Sequence, residues 1–219
     1  STVQRGTTED LQRIWRALRA QGKEIPNRAD GATSLHAASR WGLLGMVQWL
    51  VREGGAAANQ ASNDGRTPLF TAAREGHLDT VQWLVREGGA AVNQAMNDGA
   101  TPLYIAAQEG HLDTVQWLVR DGGAAVNQAT NEGATPLLIA AENGHLDTVQ
   151  WLVRDGGAVV NQAMNDGRTP LSASTRRGHL EVVRWLVSHA SAKLASSCWD
   201  GLLEYTRPSW DDVREKLVL

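Results

Sequence analysis

Cysteine and phenylalanine each occur once in this 219-residue chain, and tyrosine twice. The lone thiol, Cys198, excludes an internal disulfide and fits a reducing compartment. An excess of one charge is also missing. Twenty-one basic residues against 24 acidic ones give a net charge of −3, with no general attraction to nucleic acid or to an anionic membrane. No run of about 18 apolar residues is present, so no membrane-spanning helix is expected. The opening STVQRGTTED lacks the basic-then-apolar order of a signal peptide. The phosphate loop G-x-x-x-x-G-K-[ST], the G-x-S-x-G elbow and the H-E-x-x-H helix are all missing. These features lead to the expectation of a folded cytoplasmic or nuclear protein, a monomer by itself, with no cofactor and no bound metal.

Tryptophan is abundant by contrast, with nine residues. Such a skew marks a copied unit. The stretch GHLDTVQWLVR begins at Gly76, at Gly110 and again at Gly144, and carries Trp83, Trp117 and Trp151. Diverged copies add Trp49 and Trp185. A turn pair sets the register at Asp30-Gly31, Asp64-Gly65, Asp98-Gly99, Glu132-Gly133 and Asp166-Gly167, each 34 residues after the last. The expected units are 30–63, 64–97, 98–131, 132–165 and 166–199.

Within the second unit, Thr67 reads as an N-cap and Pro68 as the first helical residue, where a missing N–H is harmless. Leu69, Ala72 and Ala73 share one face of a short helix, and Gly76 ends it in the left-handed region. A second helix runs from about His77 to Arg86, with Asp79 complementing the dipole in its first turn. Gly88-Gly89 stops that helix, and AAVNQAMND leads into the next turn. No unit of this size buries its apolar faces alone; stacking does.

The text TPLFTAA, then GH, then an apolar second helix, then VN resembles the ankyrin repeat. The matching helix starts are Thr67-Pro68-Leu69, Thr101-Pro102-Leu103, Thr135-Pro136-Leu137 and Thr169-Pro170-Leu171, with Thr33-Ser34-Leu35-His36 in the first unit. The usual ankyrin unit has about 33 residues. The additional residue here is most simply the second glycine of Gly88-Gly89, Gly122-Gly123 and Gly156-Gly157. The resemblance covers about three quarters of the chain. It implies an all-α solenoid of stacked helix-turn-helix units with hairpin-like loops, and a non-enzymatic scaffold for a protein or peptide partner.

The ends read as caps. In 1–29, Thr7 with Asp10 resembles a capping box, and Leu11, Ile14, Trp15 and Leu18 form an apolar stripe. In 200–219, Ser209 with Asp212 is placed to cap a helix carrying Trp210, Val213 and Leu217. That tail is read either as a cap or as a docking helix.

His77, His111, His145 and His179 recur once per unit. Packed helices lie about 8–10 Å apart, too far for equivalent histidines to share a zinc ion at about 2.0–2.3 Å. They read instead as junction residues bonding the loop between helices. Cys198 has no histidine near it in sequence and is a weak candidate for a catalytic thiol.

The copies differ mainly in the first helix and the turn. On a wheel of about 100° per residue, Thr71 and Arg74 point away from the buried face, while Phe70 lies on the flank where a neighbouring unit would sit. The resemblance implies that the first helices line a concave groove rimmed by the turn tips, and that this surface takes the partner. The expected partner-binding residues are therefore the outward positions Thr71, Arg74, Ile105, Gln108, Ile139, Glu142 and Arg176. To these are added the next row, Trp41, Glu75, Glu109, Asn143 and Arg177, the flank residues Tyr104 and Leu138, and the rim residues Arg66 and Arg168. Ile105 and Ile139 read equally as an exposed apolar patch or as residues covered by the next turn. The arginines 168, 176 and 177 read as an anchor for an acidic partner or as solvated surface.

On the second helix, Trp83 falls almost opposite the stripe Leu78, Val81, Leu84 and Val85. Two readings follow: a half-covered packing ladder between units, or a convex binding ridge. Two further functions stay open, an auxiliary or targeting subunit of an enzyme complex and an engineered repeat-protein binder.

Overall fold

The structure is a computed structural model that describes residues 31–189, together with Arg13. The expected caps, Cys198 and the end of the fifth unit lie outside the described residues. Among the described residues there are ten helices and no strand. They form five pairs: α1 (Ser34–Arg40) with α2 (Leu44–Arg52), α3 (Pro68–Arg74) with α4 (Leu78–Arg86), and α5 (Pro102–Glu109) with α6 (Leu112–Arg120). The fourth pair is α7 (Pro136–Glu142) with α8 (Leu146–Arg154), and the fifth is α9 (Pro170–Arg177) with α10 (Leu180–His189). Each pair packs on the next, so the fold is a linear stack with two layers, one of first helices and one of second helices.

The first helices start as the sequence dictates. The hydroxyls of Thr67, Thr101, Thr135 and Thr169 accept the backbone N–H of Phe70, Tyr104, Leu138 and Ser172 at 3.1, 3.1, 3.2 and 3.3 Å. A proline follows each cap. Each such cap is worth about 1 kcal/mol. Leu69, Ala72 and Ala73 are wholly buried, as are Ala106, Ala107, Ala140 and Ala141. These small residues let successive first helices approach more closely than successive second helices do. The tighter layer is the inner one. In the fifth unit Ser174 and Thr175 replace the alanine pair, and both hydroxyls donate back to the Leu171 carbonyl, at 2.9 and 2.7 Å.

Between layers the junction histidines act across units rather than within their own. His77, His111 and His145 place Nε2 2.9, 2.9 and 2.8 Å from the backbone carbonyls of Arg40, Arg74 and Gln108, one unit earlier. A carbonyl can only accept, so Nε2 carries the proton. The expectation of a junction bond is thereby made specific: the acceptor is the carbonyl at the end of the preceding unit's first helix. Gly110 shows what that reach requires. Its φ is +75°, and a Cβ there would lie 2.5 Å from His145 Nδ1. Both the backbone and the neighbouring ring demand glycine.

Asparagines stitch the loops in both directions, one row reaching forward and one reaching back. Asn59 Nδ2 donates to the Gly89 carbonyl at 3.0 Å, and its Oδ1 accepts the Ala91 N–H at 2.7 Å. Asn93 and Asn127 repeat the arrangement one and two units on. Asn97, Asn131 and Asn165 each donate their side-chain amide to the preceding asparagine of that row at 2.9–3.0 Å.

Tryptophan completes the ladder. Trp83, Trp117 and Trp151 are only 6–7% exposed, so the packing reading holds and the binding-ridge reading does not. The expected half coverage is corrected to nearly complete coverage. The wheel placed the indole opposite its own stripe, but it could not show the arginine of the preceding unit. Arg52, Arg86 and Arg120 lie over the rings of Trp83, Trp117 and Trp151 at 5.4, 5.2 and 5.1 Å from the centroids. Two of these arginines continue past the ring to the carboxylate four residues after the tryptophan: Arg52 to Glu87, and Arg86 to Asp121 at 3.5 Å. Beneath the ring, a Cβ on Gly88 would lie 3.2 Å from Trp83 and 2.8 Å from the Leu84 carbonyl, and Gly122 and Gly156 repeat this. The first glycine of each pair is thus where the indole rests, while the second, Gly89, Gly123 or Gly157, takes a positive φ with open space at its Cβ position.

This ladder predicts that Trp117→Ala costs about 3–5 kcal/mol, as for a fully buried tryptophan. Arg86→Ala should cost only about 0.5–1 kcal/mol, because its guanidinium is largely solvated. Urea unfolding of the two variants checks both. A Trp117→Ala loss below about 1 kcal/mol would show that the indole is not a structural element.

Candidate partner-binding groove

The inner layer and the turns enclose an open groove of about 580 Å³. Its floor is built by the flank residues of the first helices. Phe70 is buried between units, and Tyr104 packs half-buried against Leu138, Ala134, Met164 and Ala173. Ile105 and Gln108 continue the floor along α5. Turn residues form the rim: Met96, Asp98 and Ala100 from one turn, Thr130, Asn131, Glu132 and Ala134 from the next, with Arg66 and Arg74 at one end and Glu142, Met164 and Arg168 at the other. Each turn is held shut by a backbone bond across it, such as Met96 N–H to the Ala100 carbonyl at 2.9 Å and Thr130 N–H to the Ala134 carbonyl at 2.9 Å. The turns also bond to one another, Asn131 N–H donating to the Asp98 carbonyl at 2.8 Å and Asn165 N–H to that of Glu132 at 2.9 Å. The rim is therefore a fixed edge.

A family model described as ankyrin repeats, in three copies, matches residues 35–130 and 122–197. The chain belongs to the ankyrin-repeat family. Ankyrin repeats generally mediate protein–protein interaction, and the family is typically a non-enzymatic interaction module. A comparison with curated proteins returns no match. No helix among the described residues is long and apolar enough to cross a membrane.

The ankyrin stack separates the expected binding residues into two sets. Arg66, Arg74, Tyr104, Ile105, Gln108, Glu142 and Arg168 line the groove. Trp41, Thr71, Glu75, Glu109, Leu138, Ile139, Asn143, Arg176 and Arg177 do not. Leu138 is corrected outright. It is wholly buried, because the flank of α7 faces the neighbouring unit, and no partner can touch it without unpacking the stack. Ile105 is also no exposed patch. At 6% exposure it joins the core, while Ile139 is half-buried. Thr71 turns its hydroxyl inward, donating to the Thr67 carbonyl at 3.0 Å.

The remaining outward residues form local pairs. Arg40 lies 5.9 Å from the ring of Trp41, which is 69% exposed, and 3.8 Å from Glu75. Gln108 Nε2 donates to Glu109 at 3.1 Å. Asn143 donates its amide to the Gln108 carbonyl at 2.9 Å. The arginine cluster is neither free anchor nor idle surface. Glu142 is buried, and its Oε1 accepts from Arg176 Nη2 at 2.9 Å and from Arg177 Nη2 and Nε at 3.1 and 3.2 Å, with Arg168 Nη1 at 3.7 Å. A buried carboxylate requires such partners. The three arginines therefore clamp α9 and its turn to α7.

Nine groove residues lie outside the expected set: Phe70, which the wheel placed on the flank, the turn residues Ala100 and Ala134, and Met96, Asp98, Thr130, Asn131, Glu132 and Met164. The last six all precede the turn glycine, whereas the expected rim held only arginines just after it. Comparing SND-GR, MND-GA, NE-GA and ND-GR across the units carried the signal.

Tyr104 reports the field in the groove. Burial raises its phenol from the ordinary 10.0 to about 12, and the carboxylates of Glu142, Asp98 and Glu132 add to the rise while Arg168 opposes it. A folded-state pKa above the unfolded value means that stability attributable to Tyr104 is intact below about pH 10 and declines between about pH 10 and 12. Phenolate absorbance should show Tyr104 titrating late, and Asp98→Asn with Glu132→Gln should move that titration toward 10. A Tyr104→Phe variant isolates the signal; an unshifted titration in the double variant would show that the two turn acids do not act on the phenol.

Proposed function

We propose that this chain is a non-enzymatic scaffold that holds a protein or peptide partner on the concave face formed by its first helices. The observation that carries the reading is where variation falls. The second helices α4, α6 and α8 are identical in sequence and end in the same buried Trp ladder. Among the residues that change from unit to unit, Arg66, Arg74, Tyr104, Ile105, Gln108, Glu142 and Arg168 line one open groove. A surface that must only pack can repeat; a surface that recognises something must not. The floor supplies an aromatic and aliphatic centre, and the rim supplies charged and backbone groups, the usual anatomy of an interaction site. Membership of a family of interaction modules supports the same reading. The proposed units are 30–63, 64–97, 98–131, 132–165 and 166–199, with 1–29 and 200–219 as caps. A monomer in a reducing compartment, cytoplasm or nucleus, is the proposed setting, which the single cysteine supports.

Site-specific photo-crosslinking tests the face. A photoreactive residue at Gln108, in the groove, should give adducts with a partner protein from a lysate. The same residue at Asp113, in the first turn of the opposite layer, should not. Adducts from Asp113 alone would place the partner on the convex side and overturn the proposal.

A further inference from the structure

Four successive turns share one backbone but differ in what neutralises their acid. In the first, Asp64 accepts the Ser62 hydroxyl at 2.6 Å and the Arg66 N–H at 3.3 Å, and its other oxygen meets the Arg66 guanidinium at 2.7 Å. In the fourth, Asp166 accepts the Arg168 N–H at 3.0 Å and the Arg168 Nε at 2.6 Å. The self-pairing holds both carboxyls below the usual range: at Asp64 chiefly through the Ser62 and Arg66 hydrogen bonds working against burial, and at Asp166 chiefly through the Arg168 backbone and side-chain bonds.

The two turns between them lack that cation. Ala100 and Ala134 stand where Arg66 and Arg168 stand. Asp98 accepts the Ala100 N–H at 2.9 Å, but Met96 replaces the serine that would give it a hydroxyl. In the next turn the Thr130 hydroxyl accepts the Ala134 N–H at 3.1 Å, in the manner of a turn acid, and Glu132 is left without that bond. Among the described residues no cation lies within ion-pair distance of Asp98 or Glu132. The nearest candidate for Glu132, Arg168, is held by Asp166 and Glu142. Where the two arginines are missing, the groove opens over buried Ala100 and Ala134, with Tyr104 lining it and packed against Ala134.

The geometry points to a docking cleft for a partner segment that inserts one basic side chain, best an arginine, between Asp98 and Glu132 with its alkyl stem along Tyr104 and Met96. This rests on the scaffold reading above and names the partner's chemistry. The outer turns display the contact the inner ones lack: a guanidinium seated on the turn carboxylate. Arginine suits the place because its planar fork meets carboxylates and lies flat on an aromatic ring. Its stem covers apolar wall while its charge meets the rim. Arg74, on the near wall, has an exposed side chain and no ion pair among the described residues, so it disfavours a run of basic residues. The cleft selects a single basic residue in an otherwise neutral or apolar segment.

A displayed library of random short peptides, selected on the full chain, tests this directly. Selected peptides should share one basic residue. Replacing it with citrulline or norleucine should weaken Kd about tenfold or more, since the charge that faces Asp98 and Glu132 is removed. Asp98→Asn with Glu132→Gln should produce a similar loss. Ala100→Arg with Ala134→Arg, which gives the inner turns the residue the outer turns already carry, should fill the cleft and abolish binding with helical content unchanged. Asp113→Asn, on the other layer, should leave binding intact. Peptides lost on cleft filling but indifferent to citrulline and to the acid-to-amide pair would overturn this inference and leave the scaffold reading standing. Peptides that survive cleft filling and depend on the second-helix layer would overturn both. A selection that yields no basic binder also counts against the cleft.

Discussion

A single helix pair of this chain has too little apolar surface to hold itself together, so the junction between one unit and the next carries the fold. That junction is built from four contacts that recur at each step along the chain. A tryptophan lies under the arginine of the preceding unit, a histidine reaches back to the preceding helix end, and two rows of asparagine hold the loops. Each is modest alone. Together they recur so regularly that the three interfaces joining the first four units are nearly the same interface. The alanine pairs then bring the first helices closer than the second, and that inequality gives the stack an inner side with a cavity along it.

Uniformity at the junction is what frees the inner side to vary. Since most packing is delegated to residues that repeat, the turn and the outward face of the first helix are freer to change. Of the four turns from Asp64 to Arg168, two keep an arginine folded onto their own aspartate and two carry alanine in its place. The fourth and fifth units are further locked by Glu142, which gathers Arg168, Arg176 and Arg177 onto one buried carboxylate. Variation here sorts into closed positions, where the protein satisfies its own charges, and open ones, where it does not.

Much of this architecture was legible in the sequence, for physical reasons. The Thr-Pro pair announces a capped helix start because it satisfies a free N–H and needs none at the next residue. The 34-residue spacing follows directly from identical text. The wheel placed Phe70 correctly on the flank, and by the same token it placed Leu138 there; including Leu138 in the binding surface ignored that placement. Coverage was harder to read. Ile105 points outward from its own helix yet is buried, and Trp83 points away from its own stripe yet is buried, because in a stack the covering atoms come from another unit. A single-helix projection contains no information about them. The pairing of Glu142 with three arginines from the following unit was hidden for the same reason. Asp98 and Glu132 were missed differently: they formed the repeat's most constant pair with glycine, and constancy in the acid concealed the change in its neighbour two residues on.

The junction between units does not depend on which copy stands next, and growth by copying is therefore cheap in structural terms. An added unit would inherit its tryptophan seat, its histidine reach and its asparagine rows complete. What it would alter is distance. The two arginine-bearing turns bracket the alanine turns between them, and their separation is set by the number of units inserted. Unit number thus acts as a ruler: a chain that copies or loses one inner unit would lengthen or shorten the stretch of partner it can span by one fixed step, while leaving every contact that holds it together unchanged.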